Sequence, residues 1–81
     1  MKFAVALVSA FDNDLRITIV EADDCVKGII KGAKTLMPAN EKMLDDMYTK
    51  AIDESDNMDS AIKLIQDDFF NFDCNIAVRE V

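Results

Sequence analysis

Phe3-Ala4-Val5-Ala6-Leu7-Val8-Ser9-Ala10-Phe11 is apolar on both of its alternating faces. A strand of this kind needs neighbours on both edges and cover on at least one face. It predicts the central strand of a small sheet, running from Lys2 to Phe11. Phe3, Val5, Leu7 and Phe11 form its bulky face, with Ser9 among them. Ala4, Ala6, Val8 and Ala10 form the small one. The bulky set is the natural core side.

Asp12-Asn13-Asp14 follows. Asp and Asn accept left-handed backbone and hydrogen-bond their own main chain, so three of them between apolar runs predict a hairpin loop. Leu15 to Glu21 is then a second strand. Leu15, Ile17 and Ile19 are expected toward the core, with Arg16, Thr18 and Val20 outward.

The next segment changes period. Ala22, Val26, Ile29, Ile30, Ala33, Leu36 and Met37 recur at helical spacing, and Lys27, Lys31 and Lys34 occupy the opposite face. Asp23 is the expected N-cap and Pro38 the stop. Gly28 and Gly32 lie one turn apart in this helix, and each weakens it by about 1 kcal/mol relative to Ala. Their presence predicts close approach to the sheet or to another helix. The lysines exclude a membrane GxxxG dimer.

Asn40 can cap a second helix to about Glu54, with Leu44, Met47, Tyr48 and Ala51 as its apolar stripe, helped by Met43 and Ile52. A polar break at 53–57 precedes a third helix capped by Ser55 or Asp56, ending near Phe70. Met58, Ala61, Ile62, Ile65 and Phe69 are its expected buried stripe. Phe72 to Val81 reads as the last strand, with Phe72, Cys74, Ile76 and Val78 on one face.

The order is strand, strand, three helices, strand. Pairing the last strand with the free edge of the first gives the order 2-1-3, and helices on one face complete a two-layer α+β domain over residues 1–81. The last strand is expected antiparallel to the first. With 81 residues the chain is one domain with a modest core. No internal repeat or low-complexity tract interrupts it.

Composition narrows the function. Sixteen acids against nine cations give a net charge of −7. Such a chain is a poor direct partner for nucleic acid or anionic lipid, because phosphates need cations opposite them. It suits a basic protein partner, or solubility alone. No apolar run of about 18 residues is present, so no membrane span is expected. Asp12 and Asp14 come too early for a signal peptide. Two cysteines, Cys25 and Cys74, do not make a disulfide framework, which predicts reduced thiols in a cytoplasmic protein.

Catalytic chemistry finds little support. There is no His, the side chain most used for acid–base work near neutral pH and for metals. Ser9, Ser55 and Ser60 therefore have no His to activate them. No phosphate loop or dinucleotide fingerprint occurs, and no cofactor is expected. Cys25 sits in a first helical turn, where a thiol is activated, but Asp23 and Asp24 oppose that. Asp12-Asn13-Asp14 resembles the opening of a calcium loop but lacks its Gly and distal Glu. Asp53, Asp56 and Asp59 are spaced for one helical face, yet the break falls among them.

Two surfaces remain. One is acidic: Glu41, Asp45, Asp46, Asp53, Glu54, Asp56 and Asp59, against only Lys42 and Lys50. It reads either as a solvated face or as a patch that docks on a basic protein. The other is the outer sheet face, Ala4, Ala6, Val8, Ala10 and Ala77 with Val20 and Val81, beside Arg16 and Arg79. It reads either as a homodimer face or as a face that one helix covers.

The hairpin Phe3–Glu21 with its Phe11-Asp12-Asn13-Asp14-Leu15 turn, and the ending Asp67-Asp68-Phe69-Phe70-Asn71-Phe72-Asp73-Cys74, resemble small acidic proteins encoded by bacteriophages. That class includes anti-CRISPR and other anti-defence inhibitors. The resemblance spans the whole chain and rests on overall form. It implies a non-enzymatic inhibitor that binds a host protein and presents acids where nucleic acid would sit. Two other readings stand beside it. One is a homodimeric regulatory domain that binds a nucleotide-like small molecule. The other is an enzyme using carboxylates and a metal.

Overall fold

The computed structural model describes all residues, Met1–Val81. The elements are β1 (Lys2–Ser9), β2 (Leu15–Glu21), α1 (Cys25–Leu36), a 3₁₀ turn (Pro38–Asn40), α2 (Glu41–Glu54), α3 (Met58–Asn71) and β3 (Cys74–Glu80). The sheet order is β2-β1-β3 and both pairings are antiparallel, as expected.

β1 is central because both of its faces are apolar and both of its edges are paired. Phe3, Val5 and Leu7 are buried against the helices. β3 adds Ile76 to the same side, opposite Leu7. α1 packs over β1 and β2, and α3 packs over β3. α2 packs on α1 and α3 rather than on the strands. Leu44, Met47 and Ala51 from α2 and Ala61, Ile65 and Phe69 from α3 complete a single core with Val26, Ile29, Ile30 and Ala33 of α1. No polar or charged residue is buried in it.

Gly28 and Gly32 answer the question the sequence raised. A Cβ on Gly28 would lie 2.9 Å from Phe3 Cδ2. One on Gly32 would press into the side chain of Val5. The two glycines bring the α1 backbone down onto β1. The helix cost of each is offset by the closer contact.

The facing of β2 is the reverse of the sequence expectation. Leu15, Ile17 and Ile19 point away from the helices and are 58%, 61% and 62% exposed, whereas Val20 is buried. The reason is the length of the hairpin loop. A three-residue turn at Asp12–Asp14 would close on Phe11 and Leu15 and place Ile19 beside Leu7. The observed loop closes on Ser9 and Asp14 through a Ser9 N–H to Asp14 carbonyl bond of 3.1 Å. It therefore pairs Leu7 with Arg16, Val5 with Thr18 and Phe3 with Val20. Directly paired residues share a face, so changing the loop by one residue reverses every side chain of the strand. β1 accordingly ends at Ser9, and Phe11, expected in the core, sits in the turn 84% exposed.

Arg16 ends on the helix side at the sheet margin. Its Nε donates to Asp14 Oδ2 at 2.8 Å and its Nη1 to the Leu36 carbonyl at 3.2 Å. The guanidinium thus neutralises carbonyl charge at the α1 C-terminus. Asn13 takes the left-handed conformation (φ 54°), as a turn Asn can.

Three further boundaries differ. The α1 cap is Asp24, not Asp23: its carboxylate accepts from the Lys27 N–H at 2.8 Å. The α3 cap is Asn57, not Ser55 or Asp56, accepting from the Ser60 N–H at 2.9 Å. Each takes an extended backbone at the position whose side chain reaches the third residue on. Asn40 occupies the N-cap of α2 without a side-chain bond. Met58, expected in the buried stripe of α3, is exposed in the first turn. At the other end α3 runs to Asn71, and Asp73 reverses the chain with φ 61°. Phe72 therefore lies outside β3 and is exposed.

Candidate functional site

The seven acids of the sequence-derived patch are all exposed, and they all lie on the helical side of the molecule. They do not form one cluster. Successive residues of α2 are about 100° apart around its axis. With Leu44 and Ala51 inward, Glu41 and Asp45 fall on the flank toward α1, and Asp46 and Asp53 fall on the outer face. Glu54 falls on the flank toward α3, and Asp56 and Asp59 continue from it through the α2–α3 connection and the first turn of α3.

Asp45 is the one member paired with a cation. It bonds Lys34 of α1, and the carboxylate holds the Lys34 ammonium above its ordinary pKa of 10.5. The other six have no cationic partner. Asp46 lines an open groove of about 470 Å³ between α2 and the end of α3, with Lys42, Met43, Met47, Lys50, Asp68 and Phe72. Lys50 there reaches Asp68 at 3.7 Å. Glu54 and Asp56 line a second groove with Ser60, Lys63 and Asp67.

The cations gather elsewhere. Lys27, Lys31 and Lys34 line a groove of about 360 Å³ between α1 and α2, with Ile30, Asp45 and Tyr48. Each lysine already has a partner: Asp23 at 3.5 Å, the Glu21 carbonyl at 2.7 Å, and Asp45.

No three His, Cys, Asp or Glu side chains converge as metal ligands. The candidate calcium-loop start is instead a local turn. The Asp14 N–H donates to Asp12 Oδ1 at 3.1 Å, and this bond holds the Asp12 carboxyl below its ordinary 3.8. Cys25 is the first residue of α1 and Cys74 the first of β3; both are half-buried and unpaired. No helix is long and apolar enough to cross a membrane.

The outer sheet face is uncovered, since all three helices lie on the other side. Ala4, Ala6 and Val8 are half-buried by their own neighbours, and Ala10 and Ala77 are exposed. Val20, counted with this face from the sequence, belongs to the core. Leu15, Ile17 and Ile19 take its place. The signal that would have found them is the position of the loop closure, since only the parity of the pairing decides which set of β2 faces out. Comparison with protein-family models, curated proteins and solved structures finds no match, so the reading of these surfaces rests on their own chemistry.

Proposed function

We propose that this chain is a non-enzymatic interaction protein that binds and blocks a basic protein through its acidic helical side. The target class is a cytoplasmic host protein of bacterial defence or nucleic-acid handling, in the manner of an anti-CRISPR. The observation that carries the reading is charge left unneutralised: of Glu41, Asp45, Asp46, Asp53, Glu54, Asp56 and Asp59, only Asp45 has a cation beside it. Surface acids without partners repel one another at a small cost in stability and steer a positively charged partner toward them. A surface where nucleic acid docks is the kind of basic surface they complement.

The test is retention of a partner from a bacterial lysate on the tagged chain, at low and at high salt. A partner retained at low salt and released at high salt is expected. Reversal of Asp45, Asp46, Asp53 and Glu54 to Lys should abolish retention with the far-UV spectrum unchanged. A reversed chain that folds and still holds the same partner would overturn the reading.

A second reading has one observation in its favour. Lys27, Lys31 and Lys34 meet Tyr48 in one groove, a setting for a small anionic ligand such as a nucleotide. It predicts a ligand-dependent rise in melting temperature that is indifferent to the four reversals other than at Asp45. The first reading is preferred because the three lysines are already occupied by partners of their own.

A further inference from the structure

We propose that the outer face of the sheet is a homodimer interface, and that a second copy of this chain covers it. The inference is independent of the acidic surface, which lies on the opposite side of the domain.

The face is a grid of three columns fixed by the strand register. Ala6 sits at its centre, between Ile17 on β2 and Ala77 on β3. One row on, Ala4 lies between Ile19 and Arg79. The β2 column is a ridge of large side chains, the β1 column is a shallow floor, and the β3 column is low at Ala77. Ridge beside hollow is the shape a two-fold axis uses. With the axis along β1, β2 of one copy lies over β3 of the other, so that Ile17 faces the partner's Ala77 and the two Ala6 residues meet on the axis. Stacked sheets pack about 10 Å apart when large side chains fill the gap on both sides; here Ile17 fills it from one side against an alanine, and the alanine floor permits a closer approach.

Charge agrees with this occupant. Glu21 ends the β2 column and pairs across the sheet with Lys2, while Arg79 lies near the same end of the β3 column. The two-fold axis brings Arg79 of one copy toward the partner's Glu21 on both edges of the interface, at that one end. The acids of α2 and α3 point away from the contact in both copies, so a net charge of −7 per chain does not prevent it. A basic protein, by contrast, would be drawn to the helical side.

The area is also of the right order. Three strands of seven or eight residues cover about 23 Å by 14 Å, which with protruding side chains offers roughly 500 Å² per copy and roughly 1,000 Å² in the pair. That is the lower bound of specific association, so the expected dimer is weak, with a dissociation constant of about micromolar order. An exposed apolar patch of this size is often functional.

Sedimentation of the full chain from about 1 µM to about 500 µM tests this. The expected result is a mass rising from 9.1 kDa toward twice that value. Ile17→Lys should weaken association at least about tenfold with an unchanged far-UV spectrum, because Ile17 is exposed in the single chain. Ile19→Lys gives the same test should the first variant fold poorly. A chain still monomeric at the top concentration would overturn the proposal and leave the face to a different protein. A dimer that survives both lysine substitutions would overturn it too, by placing the interface elsewhere.

Discussion

The α1 backbone at Gly32 rides directly over the side chain of Val5. A Cβ added at Gly32 would stand 2.8 Å from Val5 Cγ1 and nearer still to its Cβ and Cγ2. Val5 is fully buried in the central strand and has no direction in which to yield. The contact fixes the height of α1 above the sheet, and with it the depth of the core.

Gly32→Ala should therefore destabilise the chain by about 1–3 kcal/mol, the usual cost of overpacking, although helix propensity alone would stabilise it by about 1 kcal/mol. Gly28→Ala should cost less, because its Cβ would come no nearer than 2.9 Å to the Phe3 side chain. Urea denaturation of both variants decides it. A Gly32→Ala chain more stable than its parent would show that the helix is free to lift.

The reversed facing of β2 predicts opposite effects from adjacent residues. Val20→Ala should cost about 2 kcal/mol, since Val20 is buried among Phe3 and the α1 core. Ile19→Ala should cost under about 0.5 kcal/mol at protein concentrations low enough to keep the chain monomeric. Equilibrium unfolding at low micromolar concentration separates the two. Equal losses would contradict the observed register.

Capping gives a second pair of neighbours to compare. Asp24→Ala and Asn57→Ala should each cost about 1 kcal/mol by orphaning a first-turn N–H. Asp56→Ala should be near neutral. Asp23→Ala removes only an exposed pair with Lys27 at 3.5 Å, worth less than about 0.5 kcal/mol. Thermal melts of the four variants would show the pattern.

Two titrations follow from local contacts. Asp45 raises the Lys34 pKa above 10.5, so their attraction contributes fully below that pH and is lost as pH rises through the folded value. Asp45→Asn should bring the Lys34 titration back to about its ordinary midpoint and leave stability at high pH unchanged. Asp12 has the opposite sign. Its folded pKa lies below 3.8, so its contribution is present above that pH and is lost as pH falls through the folded value. Carboxyl and side-chain ammonium NMR titrations read both directly. An Asp12 midpoint at or above 3.8 would mean that the Asp14 N–H bond does not persist in solution.

The sequence alone determined the elements, their order and the sheet topology. Both faces of 3–11 are apolar, so that segment had to be central. The single Pro after Met37 stopped α1, and the glycine pair in a lysine-faced helix foretold contact with the sheet. These features follow from local pattern, and the pattern is strong. The exposed acids were legible as a composition, but their division around α2 depends on where the core lies. Only the tertiary structure decided which side of β2 faces water. Leu15-Arg16-Ile17-Thr18-Ile19-Val20 is amphipathic enough to read either way, and the choice hangs on whether the loop closes at Phe11 and Leu15 or at Ser9 and Asp14. Ser9–Asp14 closure lets Arg16 reach the carbonyl end of α1 and sends three large aliphatic side chains outward. One residue of loop length, invisible in periodicity, decides that the outer sheet face carries three large aliphatic side chains.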